Sequence, residues 1–331
     1  MSGADSAFTQ TILRWWADNG RDLPWRRTRE PYAVWLSEII LQQTRIAQGT
    51  AYWHRFLERF PTVEQLAAAP EDEVLRLWEG LGYYSRARNL HAAAQQIVAL
   101  GGFPRTLEGI RSLKGVGDYT AAAIGSICFG LPAAVVDGNV YRVLARYFGL
   151  AVPVGTGAAK KEFTALAQRL LPEDAPADFN QGMMDFGAMQ CTPQRPDCEV
   201  CPLRDSCHAF RTGRVSLLPV KKPAAALQER HFNYIYVRFQ RQSAIRRRGP
   251  GDIWQGLYEP LVLPHPAGRL IRSGVKHQLT HRTLYADFYL WEPSERPELP
   301  EGYFWVKESE LDRYAKPRLF ELLLEAVTVF L

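Results

Sequence analysis

The sequence predicts a mainly helical protein that ends in a small α+β domain. Residues 6–211 place apolar side chains at helical spacing, broken by short Pro- and Gly-containing segments, and show no strand-like alternation. Residues 212–229, rich in proline, alanine and charge, are typical of a linker. After them, residues 231–239 alternate between two faces as a strand does. The chain therefore divides into a long helical part and a shorter mixed domain.

Composition excludes several classes of protein. The 331 residues are 47% hydrophobic and 12% aromatic, which excludes a disordered tail or a fibre. The longest mostly apolar run, residues 121–136, is shorter than the ~20 residues that a membrane helix needs. The N-terminus has no basic segment followed by an apolar core, so we expect a cytoplasmic protein. The net charge of +5 permits a nucleic-acid partner without requiring one.

The segment 32–47 predicts a helix, on which Glu38 and Gln42 share a stripe distinct from the apolar one. Thr44 is predicted to cap the following helix, which leaves Gln42 and Gln43 in a turn. In isolation, Glu38 would be interpreted as a solvated helix position.

Residues 113–117, Leu-Lys-Gly-Val-Gly, separate two helical segments. Gly115 and Gly117 allow a tight turn, so the backbone N–H groups around Val116 and the next helix N-terminus can face an anion. An ordinary corner between two helices could carry the same glycines, so the turn alone is weak evidence.

An apolar run ends at Asp137, and a helix begins after Asn139. Aspartate often fills the N-cap position of a helix, which is the simplest interpretation of Asp137. A capping role and a catalytic role for one carboxylate do not exclude each other.

Four of the five cysteines follow the pattern C-x6-C-x2-C-x5-C, at Cys191, Cys198, Cys201 and Cys207. An odd total argues against a disulfide framework. Four thiolates suit either tetrahedral zinc or an iron–sulfur cluster, and ligand softness does not separate the two. The spacing resembles the cluster loop of endonuclease III-type DNA glycosylases, which implies a 4Fe–4S cluster. Cys128 is most simply a small core residue.

The segment 284–290 alternates as 231–239 does, and residues 317–331 return to helical spacing. Strands followed by a helix predict a small α+β domain over residues 230–331.

Seven segments follow one another between residues 23 and 207: LPWR, PYAVWLSEIILQQTR, GLGYYSRARNL, LKGVGDYTAAAI, VDGNVYRVLAR, NQGMMDFGAMQC and the cysteine loop. Together they resemble the adenine DNA glycosylases of the MutY type, in the helix-hairpin-helix superfamily. The resemblance implies a bilobal helical fold, with a cluster domain of residues 1–29 and 138–211 and a helical barrel of residues 30–137 that carries the hairpin. It also implies a Nudix-like lesion-recognition domain at residues 230–331.

Cleaving the N-glycosidic bond of a purine requires a proton for the leaving base and stabilisation of an oxocarbenium-like sugar. The resemblance implies that Glu38 protonates adenine at N7 and that Asp137 stabilises the oxocarbenium ion or forms a covalent adduct with it. Asn139 is implied as an orienting polar group. The implied activity is excision of adenine mispaired with 8-oxoguanine, or with guanine, in duplex DNA.

Tyr119 bears on the type of reaction. In the endonuclease III branch this position carries a lysine, whose amine forms a Schiff base and permits strand cleavage. A phenol cannot, so the resemblance implies a monofunctional enzyme that uses water and leaves an abasic site. Tyr141 likewise stands where some relatives carry a lysine that traps that site. The alternative for Tyr119 is a core aromatic that packs the hairpin.

A base inside a duplex must be flipped out before it can react, and the gap must be supported. The resemblance implies that Gln43 and Tyr83 enter the base stack, with Leu81 nearby, and that Trp25, Arg26 and Gln181 border the adenine pocket. Packing residues or surface charges are the alternatives. The hairpin residues Gly115, Val116 and Gly117 are implied to grip the DNA backbone. Further phosphate contacts are expected from Arg86, Arg88, Arg142 and Arg146.

The resemblance assigns reading of 8-oxoguanine to Thr280 and His281 in the C-terminal domain. The family usually has Phe-Ser-His here, whereas this chain has Leu279 and Thr280 before His281. The hydroxyl that can accept from the lesion N7–H is kept, and the aromatic ring is lost. Nucleotide hydrolysis is not expected, because residues 251–270 lack the glutamate-dense helix of a working Nudix enzyme.

The expected partner is duplex DNA containing 8-oxoguanine:adenine mispairs, bound by a monomer that is nucleoid-associated if bacterial. One alternative is a bifunctional pyrimidine-lesion glycosylase, against which Tyr119 and the added C-terminal domain argue. The other is a DNA-binding redox sensor without catalysis, which would leave Glu38 and Asp137 unexplained.

Overall fold

The computed structural model describes residues 3–223 and 227–330. They form two units, the first of residues 3–64 and 92–223, the second of residues 65–91 and 227–330. The second unit therefore includes a piece of the helical part of the sequence.

The predicted linker, residues 212–229, includes residues 224–226, which lie outside the described residues, as do the chain ends at residues 1, 2 and 331. The further partition of the helical part into residues 1–29 with 138–211 and residues 30–137 stays a prediction.

The predicted helical character of residues 6–211 is confirmed. The helices there are α1 (Gly3–Asn19), α2 (Pro31–Ile40), α3 (Ile46–Arg59), α4 (Val63–Ala68), α5 (Glu71–Leu77), α6 (Ser85–Ala99), α7 (Leu107–Arg111), α8 (Asp118–Phe129), α9 (Gly138–Phe148), α10 (Gly157–Leu170), α11 (Pro176–Asp185) and α12 (His208–Arg211). Shorter turns are 3-10 at Pro24–Arg26 and Arg204–Ser206, and π at Phe186–Gln190. Within the described part of the chain, no helix is long and apolar enough to cross a bilayer.

The helical spacing of residues 32–47 belongs to two helices, α2 and α3, and the predicted turn at Gln42 and Gln43 between them is confirmed. The prediction that Thr44 caps α3 is wrong. Arg45 occupies the N-cap position and makes no side-chain capping bond. The Thr44 hydroxyl instead lies 3.5 Å from the Gln42 carbonyl oxygen, inside the turn and away from the helix N–H groups.

The core of the first unit holds α9 and α11 in place. Phe8 and Ile12 of α1 are fully buried together with Val140 of α9 and Phe163 of α10. Burying each such side chain stabilises the fold by about 1.5–3 kcal/mol. Gly182 lets α1 approach α11 closely, because a Cβ there would lie 3.1 Å from Ile12 Cγ2. The chain around Asp137 and Gln181 is thus built on rigid elements.

The C-terminal part is a mixed six-stranded sheet covered by a helix. Its strands are β1 (Gln228–Val237), β2 (Gln242–Arg247), β3 (Tyr258–Val262), β4 (Arg269–Gln278), β5 (Arg282–Trp291) and β6 (Tyr303–Lys307), followed by α13 (Arg318–Phe330). The strand order is β4-β5-β1-β3-β2-β6, with β1 parallel to β5 and the other pairs antiparallel. The predicted α+β domain is confirmed.

The two faces of β1 enter different cores, as its alternation predicts. Phe232 and Tyr234 pack in the cluster that includes Leu323 of α13. Ile235 and Val237 pack in the cluster on the other face. Both faces are buried over residues 234–237, which carry only tyrosine, isoleucine and valine, whereas residues 228–231 at the start of the strand are polar and mostly exposed.

Candidate active site and cysteine loop

One cavity of about 660 Å³ collects all the predicted catalytic and adenine-pocket residues, together with Gln43. These eight residues line it: Trp25, Arg26, Glu38, Gln43, Tyr119, Asp137, Asn139 and Gln181. A concave space of this size that gathers titratable groups is the usual form of a small-molecule site.

Glu38 faces this cavity from α2, whose apolar side chains are buried on the other stripes. Burial raises the pKa of Glu38 to about 7, against the opposing effects of a hydrogen bond from Tyr119 and the charge of Arg26. A carboxyl with this pKa is partly protonated at neutral pH, as a general acid must be. The solvated-helix interpretation of Glu38 is therefore wrong, because the side chain is enclosed at the cavity wall.

Asp137 is the N-cap of α9, as its sequence context predicts, and accepts a hydrogen bond from Val140 N at 2.8 Å. Its second oxygen accepts from Asn139 Nδ2 at 2.8 Å. Burial raises the pKa of Asp137, and these two hydrogen bonds oppose the rise by stabilising the carboxylate. The cavity thus contains one carboxyl that favours protonation and one that is hydrogen-bonded as an anion.

Arg142 connects this site to the cysteine loop. It is buried and donates to Asn139 Oδ1 at 2.7 Å, to the Gly187 carbonyl at 2.5 Å and to the Cys191 carbonyl at 2.7 Å. Gly187 lies in the π-helical turn Phe186–Gln190, where a Cβ would come within 2.6 Å of Asn139 Cβ. The turn and α9 therefore meet backbone to backbone behind the catalytic candidates.

The expected phosphate contacts are wrong for Arg86, Arg142 and Arg146, which are buried, whereas Arg88 is partly exposed and its phosphate contact stays a prediction. Arg146 is buried and donates to the carbonyls of Thr192, Val215 and Leu218. Arg142 makes the hydrogen bonds to Asn139, Gly187 and Cys191 described above. In the second unit, Arg86 lies buried under the rings of Trp78 and Tyr83, and Arg88 donates to the Gln255 carbonyl. Irregular loops leave carbonyl groups without backbone partners, and the guanidinium fork satisfies several at once.

Asp185 positions Arg26 at the cavity, and sequence reasoning missed it. Its side chain is fully buried and accepts from Arg26 at 2.6 and 2.9 Å, and from Arg21. Burial alone would raise the pKa of Asp185, but these hydrogen bonds lower it to about 2. Arg26 is therefore fixed at the cavity wall. The available signal was a lone acid in the otherwise apolar run 183–189.

The remaining pocket residues are positioned by packing. Trp25 is buried and its ring centroid lies 6.0 Å from that of Trp53, edge to face. Gln181 is buried in α11. The Tyr119 hydroxyl lies 3.5 Å from Met184 Sδ and also hydrogen-bonds Glu38. Tyr119 is thus both a packing residue and a partner of the acid.

The four predicted cysteine ligands line a second cavity. Arg146 Nη1 donates to Cys191 Sγ at 3.4 Å, and backbone N–H groups bond the sulfurs of Cys201 and Cys207. The thiols surround a space without converging on one point, since among residues 3–223 and 227–330 no three His, Cys, Asp or Glu side chains are placed to bind a single ion. Four sulfurs with N–H donors around a cavity fit an iron–sulfur cluster.

The predicted hairpin is a turn between α7 and α8. Gly115 has a left-handed backbone at φ 77°, which favours glycine, and Gly117 is the N-cap of α8. Val116 is buried, and Lys114 N donates to Gln96 Oε1 at 2.7 Å. The exposed backbone at Gly115 and Gly117 is therefore held rigidly at the start of a helix, where an anion can be bound.

Two residues predicted to enter the base stack share an unusual backbone. Gln43 and Tyr83 are exposed and have left-handed φ values of 57° and 48°. Such strain persists where the surroundings enforce it, and it is common at functional sites. Leu81, by contrast, is buried.

The predicted lesion-reading residues lie in the hairpin turn between β4 and β5, where Thr280 and His281 are exposed. Within the second unit, the hydroxyl groups of Thr280 and Tyr83 are hydrogen-bonded to each other. The structure therefore brings together two residues that lie far apart in sequence, one predicted to enter the base stack and the other predicted to read 8-oxoguanine.

The chain matches three family models: the HhH-GPD superfamily base excision DNA repair protein over residues 36–172, the iron–sulfur binding domain of endonuclease III over residues 191–207, and the NUDIX domain over residues 233–326. The second match identifies the cysteine loop as the site of a 4Fe–4S cluster.

The chain is similar to curated proteins named adenine DNA glycosylase. An adenine DNA glycosylase of Buchnera aphidicola subsp. Baizongia pistaciae is 33% identical over 84% of both chains, and one of Rattus norvegicus is 44% identical over 65% of this chain. The chain spans only 44% of the rat relative's length. Among solved structures, a thermostable thymine-DNA glycosylase is 34% identical, with a TM-score of 0.58 over 63% of this chain and 97% of that one. The chain therefore belongs to the adenine DNA glycosylase family.

Proposed function

We propose that this protein is a monofunctional adenine DNA glycosylase that removes adenine mispaired with 8-oxoguanine, or with guanine, from duplex DNA and leaves an abasic site. The observation that carries the proposal is the pairing, in one cavity, of Glu38 with a pKa of about 7 and the hydrogen-bonded carboxylate Asp137.

The chemistry follows from these two groups. Protonated Glu38 gives its proton to N7 of the flipped adenine, so that the bond between the sugar C1′ and N9 breaks with its electron pair on the base. The negative charge of Asp137 stabilises the oxocarbenium-like sugar that remains. Water then adds to C1′ and releases a proton, which restores the neutral abasic sugar. Asn139, held by Arg142, keeps the Asp137 carboxylate oriented.

The base would be bound by the fixed walls of the cavity. Trp25 offers a rigid aromatic surface, and Gln181 and Arg26 offer amide and guanidinium donors. Because Arg26 is clamped by Asp185, it binds the base at little cost in side-chain entropy.

Hydrolysis without strand cleavage is supported by the absence of an amine at two positions. Tyr119 is a phenol hydrogen-bonded to Glu38, and the Tyr141 ring packs 4.9 Å from that of Phe163. Neither side chain can form a Schiff base with the opened sugar.

Recognition of the opposite base is proposed for Tyr83, Thr280 and His281, and backbone grip for the hairpin at Gly115, Val116 and Gly117. A bound 4Fe–4S cluster would cross-link the cysteine loop, and Arg142 and Arg146 would tie that loop to α9. We further propose that the protein acts as a monomer on genomic DNA, in the cytoplasm at the nucleoid if the cell is bacterial.

The test uses excess protein and a duplex with one adenine opposite 8-oxoguanine, with and without hot alkali, and Glu38→Gln as the matched variant. Breaks that appear only after alkali and disappear in Glu38→Gln are expected. Breaks without alkali would overturn the monofunctional assignment. Tight binding without any base release would overturn catalysis and favour a DNA-binding sensor.

A further inference from the structure

The segment 65–91, called here the docking segment, packs against the C-terminal sheet within the second unit. Arg247 at the end of β2 bridges two acids at the start of α5, with Glu71 at 2.7 Å and Asp72 at 2.9 Å. The Tyr258 hydroxyl donates to Asp72 at 3.1 Å. One basic side chain thus faces two carboxylates across the junction.

Further contacts continue along the docking segment. Lys316 N donates to Glu79 Oε1 at 3.2 Å, the buried Tyr84 hydroxyl lies 3.4 Å from the Lys316 carbonyl, and Arg88 donates to the Gln255 carbonyl. These contacts join the segment to β3, to the turn before it and to the start of α13.

The same segment presents Tyr83. Its ring lies over Arg86, whose Cζ is 5.4 Å from the ring centroid, and its left-handed backbone follows Gly82. Its hydroxyl meets that of Thr280. Both exposed groups come from short turns, which would move independently if the docking segment and the sheet separated.

We infer that Arg247 is a specificity-determining positioning residue, which locks the docking segment to the C-terminal sheet so that Tyr83 and Thr280 are assembled before DNA binds. The inference rests on the proposed function. Arg247 contacts Glu71, Asp72 and the Gly256 carbonyl, so its effect on lesion reading passes through docking. Preassembly removes the ordering cost that two separate turns would incur on binding.

The test compares single-turnover adenine release from 8-oxoguanine:adenine and guanine:adenine duplexes by the full chain. Arg247→Glu is expected to lower the ratio of the two rates about fivefold or more, because it replaces two attractions by repulsion. The charge exchange Arg247→Glu with Glu71→Arg should recover most of the ratio. Arg241 is exposed, and the described residues provide no ion pair for it. Arg241→Glu is therefore the charge-matched control and should leave the ratio of the two rates unchanged.

Hydrogen exchange without DNA provides a second readout. In Arg247→Glu, amides of residues 71–84 and 279–282 should exchange faster, and the charge exchange should slow them again. An unchanged rate ratio in an active Arg247→Glu variant would overturn the inference, as would a loss shared equally by Arg241→Glu. Absence of adenine release by the unmodified chain would instead overturn the proposed function, and the exchange measurement would still test docking.

Discussion

At the scale of single residues, Glu38 is the group whose charge changes near neutral pH, so the excision rate should fall as the pH rises through about 7. Above that pH the carboxyl has lost the proton that the proposed mechanism transfers to adenine. At acidic pH the rate should fall again as Asp137, whose pKa is raised by burial, becomes protonated. Single-turnover rates from pH 5 to 9 measure both limbs, and a rate that stays constant to pH 9 would contradict the role of Glu38.

Removing the Tyr119 hydroxyl should shift the alkaline fall in the excision rate to higher pH. The hydroxyl donates to the Glu38 carboxylate and lowers its pKa, so Tyr119→Phe removes that stabilisation of the charged form. The pH profile of Tyr119→Phe against the unmodified chain is the measurement. A limb that stays in place, or moves to lower pH, would show that the hydroxyl does not stabilise the Glu38 anion.

The Glu38 carboxylate should destabilise the fold in alkaline solution. The pKa of Glu38 is 4.5 in the unfolded chain and about 7 in the folded protein. The resulting loss of folding stability is therefore absent below pH 4.5, grows between the two pKa values and is complete above pH 7. Glu38→Gln should therefore raise the free energy of unfolding at pH 8, by on the order of 3 kcal/mol, and little at pH 4.5. Thermal unfolding at both pH values tests this, with the exposed Glu162→Gln as a control that should show no such pH dependence.

The spacing of the four cysteines was informative by itself, and these residues line one cavity. Glu38 and Asp137 were predictable only through the resemblance to a family, because each residue alone also fits an ordinary position in or before a helix, and the two line one cavity. Arg142 and Arg146 were assigned wrongly because spacing shows that a charge is present, not which carbonyl it meets. Asp185 was overlooked because its partners, Arg21 and Arg26, are more than 150 residues away in sequence.

At the scale of elements, the contact between the π-helical turn and α9 is backbone to backbone. Gly187→Ala should displace Asn139, because the new Cβ would lie 2.6 Å from Asn139 Cβ and 3.0 Å from its carbonyl oxygen. Overpacking costs about 1–3 kcal/mol of stability, and a displaced Asn139 that raised the barrier by the same amount would slow base release roughly fivefold to a hundredfold. Gly157→Ala, where nothing lies within 4 Å, is the matched control. Base release and DNA affinity should be measured together, and an unchanged rate in Gly187→Ala would contradict this role of the turn.

Element types were predictable and element ends were less so. The periodicity of apolar residues identified α2, β1, β5 and α13, because the residues that are buried recur at helical or strand spacing. The start of α3 was misplaced by the Thr44 assignment, since a hydroxyl can bond within a turn as readily as cap a helix.

At the scale of the whole molecule, the second unit combines segments from distant parts of the chain. A chain ending at residue 223 would expose the buried Tyr84 and leave Arg88 without the Gln255 carbonyl. We expect this truncated chain to melt at a lower temperature than the full chain, with fast hydrogen exchange in residues 65–91. Unchanged hydrogen exchange in residues 65–91 would contradict the assignment of this segment to the second unit. The sequence could not reveal it, because the contacts join residues more than 160 positions apart.

The split composition of the second unit also sets an order for synthesis on the ribosome. The docking segment leaves the ribosome early, but its partner strands begin only at Gln228, roughly 135 residues later, which at ~5–20 residues per second is on the order of ten seconds. The first unit contains no residue beyond 223. During each round of translation, the cavity that holds Glu38 and Asp137 can therefore be complete while the surface that carries Tyr83 and Thr280 is still unfinished.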